Sequence, residues 1–138
     1  MKDINTPLIT AYYDVINPLG YPVFVGEEPD NVQHASYIVI STITASEASN
    51  HSFVMANANI QVGIYTWQNQ ANTVYTINQV ADDVLQALHN LPRNTLSADG
   101  MQIVTTTLTT DRTEPIGTLA GRKYINRILI FSHLINLN

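Results

Sequence analysis

Residues 73–90, TVYTINQVADDVLQALHN, decide the fold. At about 100° per residue their apolar side chains fall on one side, which predicts an amphipathic α-helix. The apolar face comprises Val74, Ile77, Ala81, Val84, Leu85 and Leu88, with Val80 at its edge, and the polar face comprises Gln79, Asp82, Asp83 and Gln86. The candidate caps are Asn72, Thr73 and a capping box of Thr76 with Gln79. Pro92 ends the helix, which must lie on an apolar surface supplied by the strand-like remainder of the chain.

Outside this helix, the sequence predicts one further helix and five strands. Thr6 followed by Pro7 is typical of an N-cap and a first helical position, so the first helix is expected to begin there. Asn17-Pro18 and Gly20 end it. Strands are predicted at 23–25, 36–45, 53–67, 101–110 and 122–135, with polar loops at 46–52 and 111–121.

The strand at 53–67 alternates between apolar residues on one face and mostly polar residues on the other. This pattern is typical of a sheet with one buried and one wet face. A straight strand of this length extends about 50 Å at ~3.3 Å per residue, far beyond a radius of gyration of roughly 14 Å. Either a bulge near 57–59 breaks the strand or its hairpin projects as an arm, and we favour the arm. The apolar centre of the last strand, 128–131, predicts burial on both faces.

Strand pairs interrupted by one helix predict an α+β fold. We expect a mainly antiparallel, mixed β-sheet with two α-helices packed on one face and a projecting β-hairpin. The chain has 138 residues and no internal repeat or linker, so 1–138 is expected to form a single domain.

The composition is poor in charge: 12% of the residues are charged and 45% are hydrophobic, with a net charge of −5 and no cysteine. Few charges favour association into an oligomer, although a bias of the genome towards Thr and Asn explains the same composition. The negative balance opposes a nucleic-acid partner held by phosphate contacts, despite Lys2, Arg93, Arg112, Arg122, Lys123 and Arg127. No secretory signal opens the chain, and no segment approaches the ~20 apolar residues of a membrane span.

Catalytic constellations are hard to assemble from this sequence, although its composition leaves a Ser-His-Asp triad open. The histidines, His34, His51, His89 and His133, have neither an i,i+4 partner nor a Glu-x-x-His context for a metal. Asp82 and Asp83 are expected on a solvated helix face. Gly117 and Gly121 lack the helix and Lys-Ser/Thr of a phosphate loop, and no Gly-x-Ser-x-Gly elbow occurs. We therefore expect no enzyme, no catalytic, metal or cofactor-binding residues, and no cofactor.

Four large side chains on the strand at 53–67 are candidates for a partner surface. Tyr65 and Trp67 lie at one end of its second face, with Phe53 and Met55 at the other. Aromatic and methionine side chains of this kind anchor protein interfaces. Covering the sheet's second face beneath a loop is the equally good alternative.

The chain resembles the tail-terminator (tail-completion) proteins of long-tailed bacteriophages. The resemblance rests on VFVGEEPDNVQHASYIVIS at 23–41, NIQVGIYTWQNQ at 59–70, the helix at 73–90, the strand at 101–110, a DRTEP turn at 111–115 and GRKYINRILIF at 121–131. It covers almost the whole chain in element order and spacing.

This resemblance implies a structural virion protein that forms a homo-hexamer ring. Such a ring caps the tail tube, ends tube polymerisation and offers a surface for head–tail joining, so the implied partners are the tail tube protein and a head–tail connector (neck) protein. DNA passes through the ring without specific binding, and no membrane is involved. The implied location is the virion, assembled in the bacterial host cytoplasm. The alternatives are another head–tail connector protein and a small α+β ligand-binding domain.

The hairpin at 36–67 is our candidate for contact between neighbouring subunits of the ring. The loops at 46–52 and 111–121 are candidates for its two axial faces, because loops on a rigid sheet commonly carry contact residues.

Overall fold

The computed structural model describes residues 3–26, 36–47, 55–68, 73–91, 96, 98, 100–119 and 122–137. The elements in chain order are α1 (Asn5–Ile16), a short 3-10 helix (Asn17–Leu19), β1 (Val23–Val25), β2 (Ser36–Glu47), β3 (Met55–Gln68), α2 (Thr73–His89), β4 (Gln102–Leu119) and β5 (Arg122–Asn136). The strands form one sheet in the order β1-β2-β3-β5-β4. β1 pairs with β2 in parallel, and the other neighbours are antiparallel. The predicted α+β class with a mixed, mostly antiparallel sheet is confirmed.

Both helices cover the same face of the sheet. On β3 this face is formed by Ala56, Ala58, Ile60, Val62 and Ile64, all fully buried. They join one core with residues of α1, α2, β2 and β5. The period-two alternation predicted for β3 therefore sets the side on which the helices lie.

The buried stripe of α2 differs from the predicted face at its two edges. Val80, predicted at the edge, is 1% exposed and belongs to the core. Leu85, predicted within the face, is only partly buried. Ile77, Ala81, Val84 and Leu88 are buried as expected, and the side chain of Val74 lies outside the described residues.

The first helix begins earlier than predicted. Its first helical residue is Asn5, and Ile4 occupies the N-cap position without a side-chain cap bond. Asp3 Oδ1 instead accepts the backbone N–H of Asn5 at 2.9 Å. Pro7 is tolerated at the third helical position because the N–H that it lacks has no partner within the first turn. The predicted end is right: the helix stops at Ile16 and the 3-10 turn closes at Gly20, with φ 92°.

The predicted hairpin arm and the predicted break in β3 are both wrong. β3 runs for 14 residues without interruption, and β5 pairs with it along its entire length. The bulge lies in the partner strand, at Ile43 of β2, where the register shifts between Thr42 and Thr44. β3 is therefore a central strand, and the outer part of β2 is the exposed half of the hairpin.

The predicted loop at 111–121 is also wrong, because most of it belongs to strand β4. β4 extends to Leu119, with register shifts at Val104, Thr109 and Ile116. It is an edge strand of the sheet, a position that tolerates Pro115 because an outward N–H has no ladder partner. β5 lies between β3 and β4, and its predicted burial on both faces is confirmed: Ile128 is buried on one face and Leu129 on the other.

Candidate interaction surfaces

A buried hydrogen-bonded pair links α1 to the sheet. The Tyr12 hydroxyl lies 2.5 Å from Nε2 of His133, and the other ring nitrogen, Nδ1, lies 2.9 Å from the Ala58 carbonyl. A carbonyl only accepts, so Nδ1 carries the proton and Nε2 accepts from Tyr12. Burial lowers the pKa of His133 despite the Ala58 carbonyl and raises that of Tyr12 well above its ordinary value. His133 is therefore a neutral core residue with both nitrogens occupied and no lone pair left for a metal.

Asp82 and Asp83 differ in their surroundings. Asp82 is exposed, as expected of a solvated face. Asp83 is half-buried and accepts hydrogen bonds from Tyr21 at 2.6 Å and from Gln79 at 3.0 Å. The Asp83 carboxylate raises the pKa of Tyr21 to about 12, with burial adding to the effect. Asp83 thereby ties the polar face of α2 to the segment between α1 and β1.

Arg127 of β5 links its neighbour β4 by an ion pair and the opposite side of α2 by a hydrogen bond. Arg127 donates to both carboxylate oxygens of Asp111, at 2.9 and 2.8 Å, and to Asn78 of α2 at 2.9 Å. The guanidinium lowers the pKa of Asp111 through these bonds. This planar, bidentate arrangement is the stronger kind of carboxylate–arginine contact. The Arg127 charge is therefore occupied within the chain.

The sheet face opposite the helices carries an aromatic cluster at one end. Tyr37 and Tyr65 stack with ring centroids 4.9 Å apart, and Phe24 meets Tyr37 edge-on at 6.0 Å. Val39 completes the cluster, and Gly63 lies beneath the Tyr65 ring, so that a Cβ there would approach Cε2 to 3.0 Å.

Tyr65 is buried within this cluster, and its described neighbours are side chains of β1 and β2 rather than the loop of the covering alternative. Met55 is half-buried at the opposite end of β3, so the structure does not bring it to Tyr65. Phe53 and the side chain of Trp67 lie outside the described residues. The predicted aromatic partner surface is thus not assembled by the residues that the structure describes.

Exposed apolar side chains mark the two outer sides of the sheet. Among the described residues, the large hydrophobic side chains that are exposed are Val25, Ile43, Val104 and Leu108. Val25 and Ile43 belong to β1 and β2 on one side, whereas Val104 and Leu108 belong to β4 on the other. The sequence had no signal for this grouping, because edge positions depend on strand order.

Two cavities open next to these side chains. One, of about 190 Å³, is lined by Leu85, Leu88, His89, Thr106, Leu108 and Phe131. The other, of about 340 Å³, is lined by Thr6, Ile9, Thr10, Tyr13 and Val25. The first lies between α2 and β4, and the second between α1 and β1, so each outer side of the molecule presents an apolar groove.

The histidines illustrate the lack of a metal-binding arrangement in the described part of the chain. His89 lies at the end of α2 and His133 is bonded in the core, while His34 and His51 lie outside the described residues. Within those residues, no three His, Asp or Glu side chains form a metal-binding group. None of the described helices has the length and apolarity that crossing a membrane requires.

Neither a protein-family model nor a curated protein matches the sequence, but solved structures share the fold. One is a chain from the virion of a native gene transfer agent (GTA) particle, at 15% identity and a TM-score of 0.71, with 95% of this chain and 96% of that chain covered. Another comes from an extracellular contractile injection system, the PVC sheath/tube terminator in its extended state, at 15% identity and a TM-score of 0.51. That alignment covers 100% of this chain and 58% of the other. The chain therefore has a fold that also occurs in a virion particle and in a sheath/tube terminator.

Proposed function

We propose that this protein is a structural component of a phage-like virion that forms a ring capping the tail tube, ends tube polymerisation and provides the surface for head–tail joining. The observation that carries the proposal is the near-complete fold match to a chain of the gene transfer agent virion, from end to end of both chains. The match to a sheath/tube terminator supports the more specific role.

The physical requirement for such a role is an interface that stops repeating. A tube grows because each added ring repeats a head-to-tail contact, and a heterologous contact without a stop continues indefinitely. A terminating ring matches the tube on one axial face and offers a different surface on the other. Its partners are then the tail tube protein and a head–tail connector protein.

Charge and organisation support a ring in the virion. A net charge of −5 suits a channel through which DNA passes without specific binding, because like charges repel. We take 1–138 as one domain that assembles in the bacterial host cytoplasm and acts in the tail or neck of the particle, as a homo-hexamer. No chemical step is required of it, so we assign it no enzymatic activity and no cofactor.

The fold narrows the surfaces available for each contact. β3 is paired on both sides and β1 pairs with 38–40 of β2, so 41–47 of β2 is the part of the 36–67 hairpin offered to a neighbouring subunit. The axial candidates become the two ends of the sheet. One end carries the β4–β5 hairpin, and the other carries the end of β2 at Glu47 and the start of β3 at Met55.

A head–tail connector is the second candidate, because the match with the higher TM-score is to a chain of a virion particle and does not distinguish a terminator from a connector. A small ligand-binding domain has weaker support. The 340 Å³ groove beside α1 has the size of a ligand pocket, but the Thr10 hydroxyl that lines it already donates to the Thr6 carbonyl.

An amber mutation in this gene, followed by electron microscopy of the lysate, tests the proposal. We expect filled heads without attached tails, together with tails of irregular or excessive length. Attached tails of uniform length would refute it, whereas tails of normal length that fail to attach would favour the connector. Native mass spectrometry of the purified protein should give about 92 kDa for six copies of the 15.3 kDa chain.

A further inference from the structure

The two exposed isoleucine and leucine side chains at opposite edges of the sheet lie on the same cross-strand row. The row runs from Thr42 of β2 through Ile60 and Phe131 to Leu108 of β4. Ile43 is the residue inserted by the bulge next to Thr42. It is 45% exposed, and Leu108 is 40% exposed. A rotation that relates copies about an axis along the strands brings these two positions to the same height.

The two edges differ in shape at this height. Leu108 borders the cavity of about 190 Å³ between α2 and β4, whereas Ile43 stands on a bulge, which bends a strand and redirects a side chain. A buried apolar cavity of about 150 Å³ holds benzene, so the four-carbon side chain of isoleucine fits the space beside Leu108. The Ile43 side chain on the β2 edge is therefore a knob, and the cavity beside Leu108 on the β4 edge is a hole that can hold it.

The cavity beside Leu108 also contains a hydroxyl group that can form a further hydrogen bond. The hydroxyl oxygen of Thr106, in the wall of the cavity, is buried and has no hydrogen-bond partner among the described residues. A residue inserted at a bulge leaves the regular ladder, so its backbone groups are available to bond elsewhere. A bulged strand entering the cavity would bring such groups within reach of Thr106.

Both edges lack charged side chains over part of their length, although both carry bulges and β4 carries Pro115, which are other means of limiting edge pairing. Edge strands of monomeric proteins commonly carry charged side chains, but 36–46 and 101–110 contain no Asp, Glu, Lys or Arg. β4 has 18 residues, which extend about 60 Å, and α2 lies beside it. On β2 the edge that β1 does not cover is 41–47, about 23 Å long, so this stretch limits the length of the contact.

We propose that the β2 edge of one copy packs against the β4 edge of a second copy, with Ile43 seated in the cavity beside Leu108. The contact is heterologous: each copy uses its knob on one neighbour and its hole on the other. Repetition of such a contact closes a ring. The inference rests on the proposed ring and adds the pair of surfaces that forms it.

Disulfide trapping tests this pairing directly, because the chain has no cysteine. In one copy β2 and β4 are three strand spacings apart, about 14 Å, which is too far for an internal disulfide. Oxidation of the Ile43→Cys/Leu108→Cys variant should therefore give covalent multimers up to the full ring on a non-reducing gel. A mixture of the two single variants should give covalent heterodimers.

The matched control is Ile43→Cys with Gln102→Cys, whose second site is exposed on the same strand but pairs with Asn136 at its far end. This control variant should give no covalent multimers on the non-reducing gel. If wild type has the native mass of a ring but the Ile43→Cys/Leu108→Cys variant gives no crosslink, this pairing is overturned and the proposed ring is left intact. If wild type is monomeric at every concentration and the variant gives no crosslink, both are overturned.

A second measurement separates loss of contact from loss of folding. Ile43→Asp should reduce the native mass from that of the ring to the 15.3 kDa of one chain. The variant should still show a thermal unfolding transition, which indicates that the subunit is folded. Val25→Asp introduces the same charge at an equally exposed apolar site on the same outer side, 49% exposed, but off the row. It should retain the ring, and equal dissociation by both variants would contradict the proposal.

Discussion

Removal of one buried hydroxyl, by Tyr12→Phe, should destabilise the fold measurably. Tyr12 is fully buried, and its hydroxyl is the partner of Nε2 of His133 at 2.5 Å. The substitution keeps the ring and its contacts but leaves a buried nitrogen without a donor. A buried polar group without its partner costs about 1–3 kcal/mol. At roughly 3 °C per kcal/mol, we expect the melting temperature to fall by about 3–9 °C.

Tyr21→Phe is the matched control, because it removes the same atom from a site near solvent. The Tyr21 hydroxyl donates to Asp83 at 2.6 Å, but Gln79 also donates to that carboxylate. Water can replace the lost hydroxyl there, so we expect a cost of about 1 kcal/mol or less. Thermal and urea unfolding, followed by circular dichroism, compare the two variants. Equal destabilisation would contradict the assignment of a buried, hydroxyl-dependent His133.

The same histidine predicts how stability changes with pH. Burial lowers the pKa of His133 below its ordinary 6.5, so between its folded pKa and 6.5 the unfolded chain binds a proton that the folded chain does not. Stability is full above pH 6.5 and falls as the pH decreases, by at most about 1.4 kcal/mol per pH unit. His133→Gln should flatten the profile between pH 7 and 5. A profile of unchanged slope in that variant would show that another group titrates.

Two further predictions concern α2 and the ion pair beside it. Val80→Asp should prevent soluble folding, because it buries an unpaired charge, whereas Leu85→Asp should yield a folded but less stable protein. Soluble expression followed by thermal melts compares the two variants. If Leu85→Asp were the more damaging, the buried face of α2 would be rotated from the one described. Arg127→Ala should cost about 1 kcal/mol at low salt and less at high salt, because its bond to Asp111 is partly exposed and screened. A cost independent of salt would argue that packing of the arginine stem dominates.

The sequence predicted the faces of α2 and β3 because each pattern has its own period. It misplaced Val80 and Leu85 because both lie at the rim of the apolar stripe, on opposite sides. The neighbours decide such positions: the rim next to Asp83 and Tyr21 is closed by the segment around α1, whereas the rim next to Asn78 faces the outer strands. A cavity lies there, and Leu85, which lines it, is only partly buried.

The predicted loop at 111–121 failed for a different reason. Pro115 and Gly117 are loop residues by local preference, but an edge strand with bulges accepts both. β4 became an edge because β5 pairs between it and β3. That order depends on contacts between distant segments, which the local pattern of 101–121 does not contain. The same is true of the bulge at Ile43, which the sequence offered in β3 at 57–59 as the alternative to an arm.

The candidate surfaces show what composition alone leaves open. Low charge predicted an oligomer, but a bias towards Thr and Asn explained it equally well. Traced through the register, the uncharged parts of the two strands lie at the same height over residues 41–46 of β2 and 105–110 of β4. The nearest described charges on β4, Asp111 and Arg112, begin above the row of Ile43 and Leu108, and Asp111 is occupied by Arg127. The uncharged stretches coincide with a bulge on one strand and an apolar cavity on the other, which is what the proposed contact between copies requires. The native mass of the purified protein distinguishes that contact from a bias of the genome.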